Sequence, residues 1–88
     1  MSDENGVIVY TTEPCGFCRT AKALLAARKV AFEEINLSKD PEGRGQLAEL
    51  TGMMTFPQVV IDGEVIGGYQ ELVAFDRAGK LAPLAAAA

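Results

Sequence analysis

Histidine is absent from the 88 residues, and cysteine occurs only twice. Two cysteines without histidine cannot supply a four-ligand zinc site of the Cys/His type from one chain. A bridge between cysteines three positions apart closes a tiny loop and adds little stability, which argues against a purely structural disulfide. Basic residues are in the minority, 8 against 12 acidic, for a net charge of −4. No Lys/Arg cluster interrupts that balance, so the basic face of a nucleic-acid binder is missing. No apolar run approaches membrane-spanning length; Leu81–Ala88 is short and broken by Pro83. The start, Met1–Gly6, is acidic and has no apolar stretch. No secretory signal is therefore expected, and the expected location is cytoplasmic. In such a setting a close cysteine pair reads as redox chemistry.

What is present suits a globular domain: 49% apolar and 23% charged residues. The length allows one core, and the expectation is a single domain over 1–88 with tails at 1–6 and 85–88. Val7-Ile8-Val9-Tyr10 reads as a buried strand and Thr11–Pro14 as a loop. Gly16–Lys29 carries Ala21, Leu24, Leu25 and Arg28 at helical spacing. Val30–Leu37 reads as a second strand, parallel to the first because a helix connects them. Asp40 and Pro41 mark a helix start, Leu47 and Leu50 an inward stripe, and Gly52 a stop. Pro57–Ile61 is a third strand, and Asp62-Gly63 turns it into a fourth at Glu64–Ile66. Gly67-Gly68 breaks the chain before a last helix, Tyr69–Lys80, with Leu72, Phe75 and Leu81 inward. The order β-α-β-α-β-β-α is that of the thioredoxin fold, an α/β architecture with a mixed four-stranded sheet and three helices on its faces.

Three patterns carry chemistry. The first is Cys15-Gly16-Phe17-Cys18, placed between a strand and a helix. At a helix N-terminus the unpaired N–H groups and the dipole favour an anion, so Cys15 is expected as a thiolate nucleophile. Cys18, one turn on, can resolve a mixed disulfide on Cys15. Two ordinary buried cysteines are the plainer alternative; the strand–loop–helix context argues against it. The second pattern is Thr55-Phe56-Pro57 at a strand head. There a cis proline would leave the preceding backbone open to a peptide-like thiol. The third is Gly67-Gly68-Tyr69-Gln70-Glu71-Leu72, where two glycines lead into a helix whose N–H groups suit a carboxylate.

Thr-x-x-x-Cys-x-x-Cys, Thr-Phe-Pro and Gly-Gly-x-x-x-Leu, in this order and spacing, resemble a glutaredoxin over about Val7 to Leu84. The resemblance implies glutathione as co-substrate and partner, and disulfide-bonded or glutathionylated proteins as substrates. It implies no nucleic acid and no membrane, and a monomer is expected. By position Cys15 matches the nucleophile and Phe17 the aromatic beside it. Thr55 and Phe56, followed by Pro57, match the strip that pairs with the cysteinyl part of glutathione. Gly68, Tyr69 and Gln70 match the turn that holds its γ-glutamyl carboxylate. Thr12 stands where the family commonly has a lysine, and Met53 where a basic residue is frequent. A weaker hold on glutathione is therefore expected. Gly16-Phe17 also resembles the single-cysteine branch that carries iron–sulfur clusters, although that branch has serine at the Cys18 position. Two further readings thus stand beside the enzyme: a dimer holding a two-iron two-sulfur cluster through Cys15 and glutathione, and an electron donor reduced directly by a flavin disulfide reductase.

Overall fold

A computed structural model describes residues 6–84. The expected tails, Gly6 apart, lie outside the described residues. Four strands and three helices follow in the expected order: β1 (Val7–Thr11), α1 (Gly16–Ala27), β2 (Glu33–Asn36), α2 (Pro41–Thr51), β3 (Gln58–Ile61), β4 (Glu64–Gly67) and α3 (Tyr69–Arg77), then a 3-10 turn at Ala82–Leu84. The sheet runs β2-β1-β3-β4. β1 pairs in parallel with β2 and antiparallel with β3, and β3 antiparallel with β4.

The alternation in β1 explains the layering. Val7 and Val9 point to one face and lie opposite Ile61 and Val59 of β3. These four join Ala21 and Leu25 of α1 and Leu72 of α3 in one buried cluster. Period 2 in the strands thus meets period 3.6 in the helices. The other face carries Tyr10, which borders a cavity shared with Leu37, Gly43 and Leu47 against α2. Arg28 at the end of α1 donates two hydrogen bonds to the Asp76 carboxylate of α3, at 2.8 and 3.0 Å.

Local signals behave as the residues dictate. The Asp40 carboxylate accepts from the Gly43 N–H at 2.9 Å, and Pro41 opens α2. Gly52 closes it in the left-handed region at φ 76°. Asp62 and Gly63 have φ of 56° and 80°, the sign pair of a type I′ turn.

Four expectations need correction. Leu50 is 74% exposed rather than inward. It lies about 60° around the helix from Leu47 by the 3.6-residue period, and a single inward row is all that α2 offers the sheet. The second strand covers Glu33–Asn36, not Val30–Leu37. Lys29 turns left-handed at φ 61°, and the Val30 N–H returns to the Leu25 carbonyl, so Val30 closes α1 instead of opening β2. The same turn ends α1 at Ala27, short of Lys29. Finally, α3 ends at Arg77, not Lys80, ahead of Gly79 at φ 77°; Leu81 is buried beyond it.

Candidate active site

The C-terminal end of β1 delivers the chain to α1 at Cys15, which is the N-cap of that helix. Cys15 and Cys18 form a disulfide. The Cys18 N–H donates to Cys15 Sγ at 3.1 Å. On reduction that donor and the α1 dipole act on Cys15 as the capping atom, and both favour its thiolate. Cys18 is 3% exposed, whereas Cys15 is half-buried. The pair is therefore asymmetric, with one sulfur presented outward and one held behind it.

The Thr55–Pro57 strip comes to the same place from β3. Cys15 Sγ lies 3.8 Å from the Phe56 carbonyl oxygen. The Phe56–Pro57 bond is cis, as expected; the Glu13–Pro14 bond is cis as well, which the sequence reading did not anticipate. From the third direction comes the start of α3. The Phe17 ring, 63% exposed, stacks on Tyr69 with ring centres 5.6 Å apart. Phe17, Thr55, Phe56, Pro57, Gly68, Tyr69, Gln70 and Glu71 line a cavity of about 310 Å³. Three patterns that are far apart in sequence thus form one groove beside the nucleophile.

The α3 end of the groove presents unpaired backbone donors. Gly68 is the N-cap, and the Leu72 N–H closes the first turn on its carbonyl. The N–H groups of Tyr69, Gln70 and Glu71 precede that closure and have no helical acceptor. The Gly68 N–H is already used: it donates to Glu71 Oε1 at 2.9 Å. Gly67 sits at φ 129°, where a Cβ would come within 2.7 Å of Glu71 Cγ.

Thr12 lies outside the aromatic groove. It lines a second groove of about 510 Å³ together with Cys15 and Cys18, and with Thr11, Glu13, Arg19, Lys22, Glu34 and Asn36. Here Glu34 Oε2 accepts from Lys22 Nζ at 2.9 Å and from Thr11 Oγ1 at 2.8 Å. The Lys22 hydrogen bond, with that from Thr11, holds the Glu34 carboxyl below its ordinary range, against a smaller opposing effect of burial. Glu13 Oε2 accepts from Asn36 Nδ2 at 3.0 Å. Both cysteines line this charged groove, and the contact of Cys15 Sγ with the Phe56 carbonyl links it to the aromatic one.

The sequence reading gave no role to Gln58 and did not foresee the bond of Glu71 to the Gly68 N–H. Gln58 is fully buried and donates from Nε2 to the Met53 and Thr55 carbonyls at 3.0 and 2.9 Å. It ties down the loop that carries the Thr55–Pro57 strip. Its Oε1 has no hydrogen-bond partner. The available signal was a lone amide ahead of the apolar run Val59-Val60-Ile61. Among the described residues no group of three His, Cys, Asp or Glu side chains converges as a metal site.

Known proteins give the geometry its context. The glutaredoxin family model matches residues 7–66. Glutaredoxin 3 of Escherichia coli K12 is 40% identical over 78 residues, which is 89% of this chain and 94% of that protein. A glutaredoxin of Pseudomonas aeruginosa is 43% identical over 81 residues, 92% and 96% of the two chains. The crystal structure of a buckwheat glutaredoxin–glutathione complex superposes with a TM-score of 0.82 at 30% identity, covering 94% of this chain and 78% of that one.

Proposed function

This chain belongs to the glutaredoxin family and is a thiol–disulfide oxidoreductase; from that premise we propose that glutathione is its reductant and that glutathionylated proteins and protein disulfides are its substrates. The observation that carries the reading is the convergence of the Thr55–Pro57 strip, the Gly68–Gln70 turn and Phe17 in one groove against Cys15. The glutathione found in the buckwheat complex supports it from a relative of the same fold.

In the proposed cycle the Cys15 thiolate attacks the glutathionyl sulfur of a mixed disulfide. A Cys15–glutathione bond forms, the old S–S bond breaks, and the protein thiolate leaves and takes a proton. A second glutathione thiolate then attacks the glutathionyl sulfur on Cys15. Glutathione disulfide departs and Cys15 regains its thiolate. With a protein disulfide, Cys15 attacks first and Cys18 resolves the mixed disulfide. That leaves the Cys15–Cys18 bond seen here, which two glutathiones reduce. Within the groove, the strip's backbone orients the cysteinyl part, and the α3 amides hold the γ-glutamyl carboxylate. A cytoplasmic, monomeric protein is part of the same proposal.

The test is turnover of a protein disulfide coupled to glutathione and glutathione reductase, beside the same disulfide with a flavin disulfide reductase and no glutathione. The reading expects turnover in the first. Turnover in the second alone would replace glutathione with direct reduction.

A further inference from the structure

Apart from the two cysteines, the residues of the charged groove have no part in the cycle just described. Both sulfur-bearing residues line it, as do four charged side chains: Glu13, Arg19, Lys22 and Glu34. Three of the four are committed. Lys22 and Glu34 pair with each other at 2.9 Å, Thr11 adds a second donor to Glu34, and Asn36 donates to Glu13. Arg19 makes only a backbone contact, its N–H reaching the Cys15 carbonyl at 3.4 Å. Its exposed guanidinium has no carboxylate within ion-pair distance among the described residues. Arg19 sits in the first turn beyond the Cys15 N-cap, and both residues line this groove.

An uncommitted cation beside a nucleophile is suited to a carboxylate carried by the thiol that reaches that nucleophile. A guanidinium can grip one with two parallel hydrogen bonds. The neighbouring carboxylates of Glu34 and Glu13 accept from Lys22, Thr11 and Asn36 and form no ion pair with Arg19. We infer that Arg19 is a specificity-determining residue that receives a carboxylate of the thiol substrate in the charged groove that Cys15 itself lines. The inference rests on the oxidoreductase reading above. The carboxylate has two possible carriers: the glycine end of glutathione, or an acidic residue beside the cysteine of the substrate protein. Thr12, in the same groove, has no charge to offer either.

The experiment is single-turnover reaction of the prereduced full chain with a set of peptide disulfides. One peptide has Asp beside its cysteine and its twin has Asn. Each is presented as the mixed disulfide with glutathione, with glutathione esterified at glycine, and with neutral mercaptoethanol. Wild type, Arg19→Gln and Arg19→Lys are compared by the concentration for half-maximal rate and by the maximal rate.

Arg19→Gln should raise the half-saturating concentration about three- to tenfold for the substrate that carries the matching carboxylate, with little change in maximal rate. Arg19→Lys should recover part of the loss, and the difference should shrink at high salt. If glycine is the carrier, esterification erases the difference between wild type and variant. If the protein is the carrier, the difference follows Asp against Asn in every mixed disulfide. Equal half-saturation for wild type and Arg19→Gln on all six substrates overturns the inference. A wild type inert to both glutathionyl forms but active on the mercaptoethanol pair overturns glutathione dependence instead, and Asp against Asn then still decides the role of Arg19.

Discussion

Replacing Gln58 by Glu changes one terminal NH₂ for an oxygen and leaves the shape almost untouched. The consequences are large because the site is closed to water. Both donated hydrogen bonds, to the Met53 and Thr55 carbonyls, are lost. At about 0.5–1.5 kcal/mol each they represent about 1–3 kcal/mol. The new carboxylate faces two carbonyl oxygens in place of two acceptors bonded to an amide. A buried acid without a partner shifts toward its neutral form, so its pKa should rise above the unfolded value of about 4.3. A raised folded pKa gives a penalty that is small below about pH 4.3 and grows by about 1.36 kcal/mol per pH unit above it, until the folded pKa is passed. Below that pH the protonated acid also regains one donor. At pH 7 the expected destabilisation is about 3 kcal/mol or more, a fall in Tm of roughly 12 °C or more for a domain of this size. At pH 4 most of the gap to wild type should close. Thermal melts at the two pH values, followed by circular dichroism, give the readout. A Gln58→Glu protein as stable as wild type at pH 7, or with a gap that does not shrink at pH 4, would refute the burial and donor argument. Gln58→Met removes the donors and the orphaned Oε1 together, and should cost less than the acid.

Cys15→Ser should abolish turnover of every disulfide, whereas Cys18→Ser should keep glutathionyl-peptide turnover and lose reduction of protein disulfides; the reverse pattern would exchange the roles of the two sulfurs. Gly67→Ala should lower stability by about 1–3 kcal/mol, because φ 129° is hostile to a side chain and the new Cβ meets Glu71 Cβ at 2.9 Å. Gly68→Ala should unfold close to wild type, since its nearest contacts are 3.4 and 3.5 Å; equal melts for the two alanines would contradict this contrast. Glu34 has a folded pKa held below its ordinary value of 4.5, chiefly by Lys22, so its contribution is present above that pH and is lost as pH falls through the lowered value. Between pH 4.5 and 3, Lys22→Gln should lose less stability than wild type, by about 0.2–1 kcal/mol for a partly exposed pair; parallel acid titrations of the two would reject the coupling.

The legible parts of this protein were those in which cause and effect lie within a few residues. Asp40 caps the helix that begins at the next residue, and Asp62-Gly63 makes the turn it occupies. Cys15 at a strand–helix junction needed only the patterns on either side of it. The groove was legible once three such segments were laid on one topology, because the order of elements brings the β3 head and the α3 start to the end of β1. The side chains that escaped depend on partners chosen by the folded chain. The Gln58 amide gains its meaning from the loop that turns back over it. Thr12 was grouped with the glutathione set on position alone; in the fold it lines a groove with the two cysteines, not the one lined by Phe17 and Tyr69. Leu50 was given an inward place by spacing, yet α2 offers one buried row, and Leu47 fills it.

The Phe17–Tyr69 stack has a practical corollary. The chain has no tryptophan and only two tyrosines, Tyr10 on the α2 side of the sheet and Tyr69 in the aromatic groove. Intrinsic ultraviolet emission therefore comes from two rings with different surroundings, and Tyr10→Phe leaves one. Tyr69 packs against the ring that lies between the two cysteines. In a Tyr10→Phe background, a ligand entering the groove or a change at the disulfide should alter the emission of a single, naturally placed fluorophore. Occupancy of the groove can then be followed in real time on unlabelled protein, without a coupled enzyme or a chromogenic substrate.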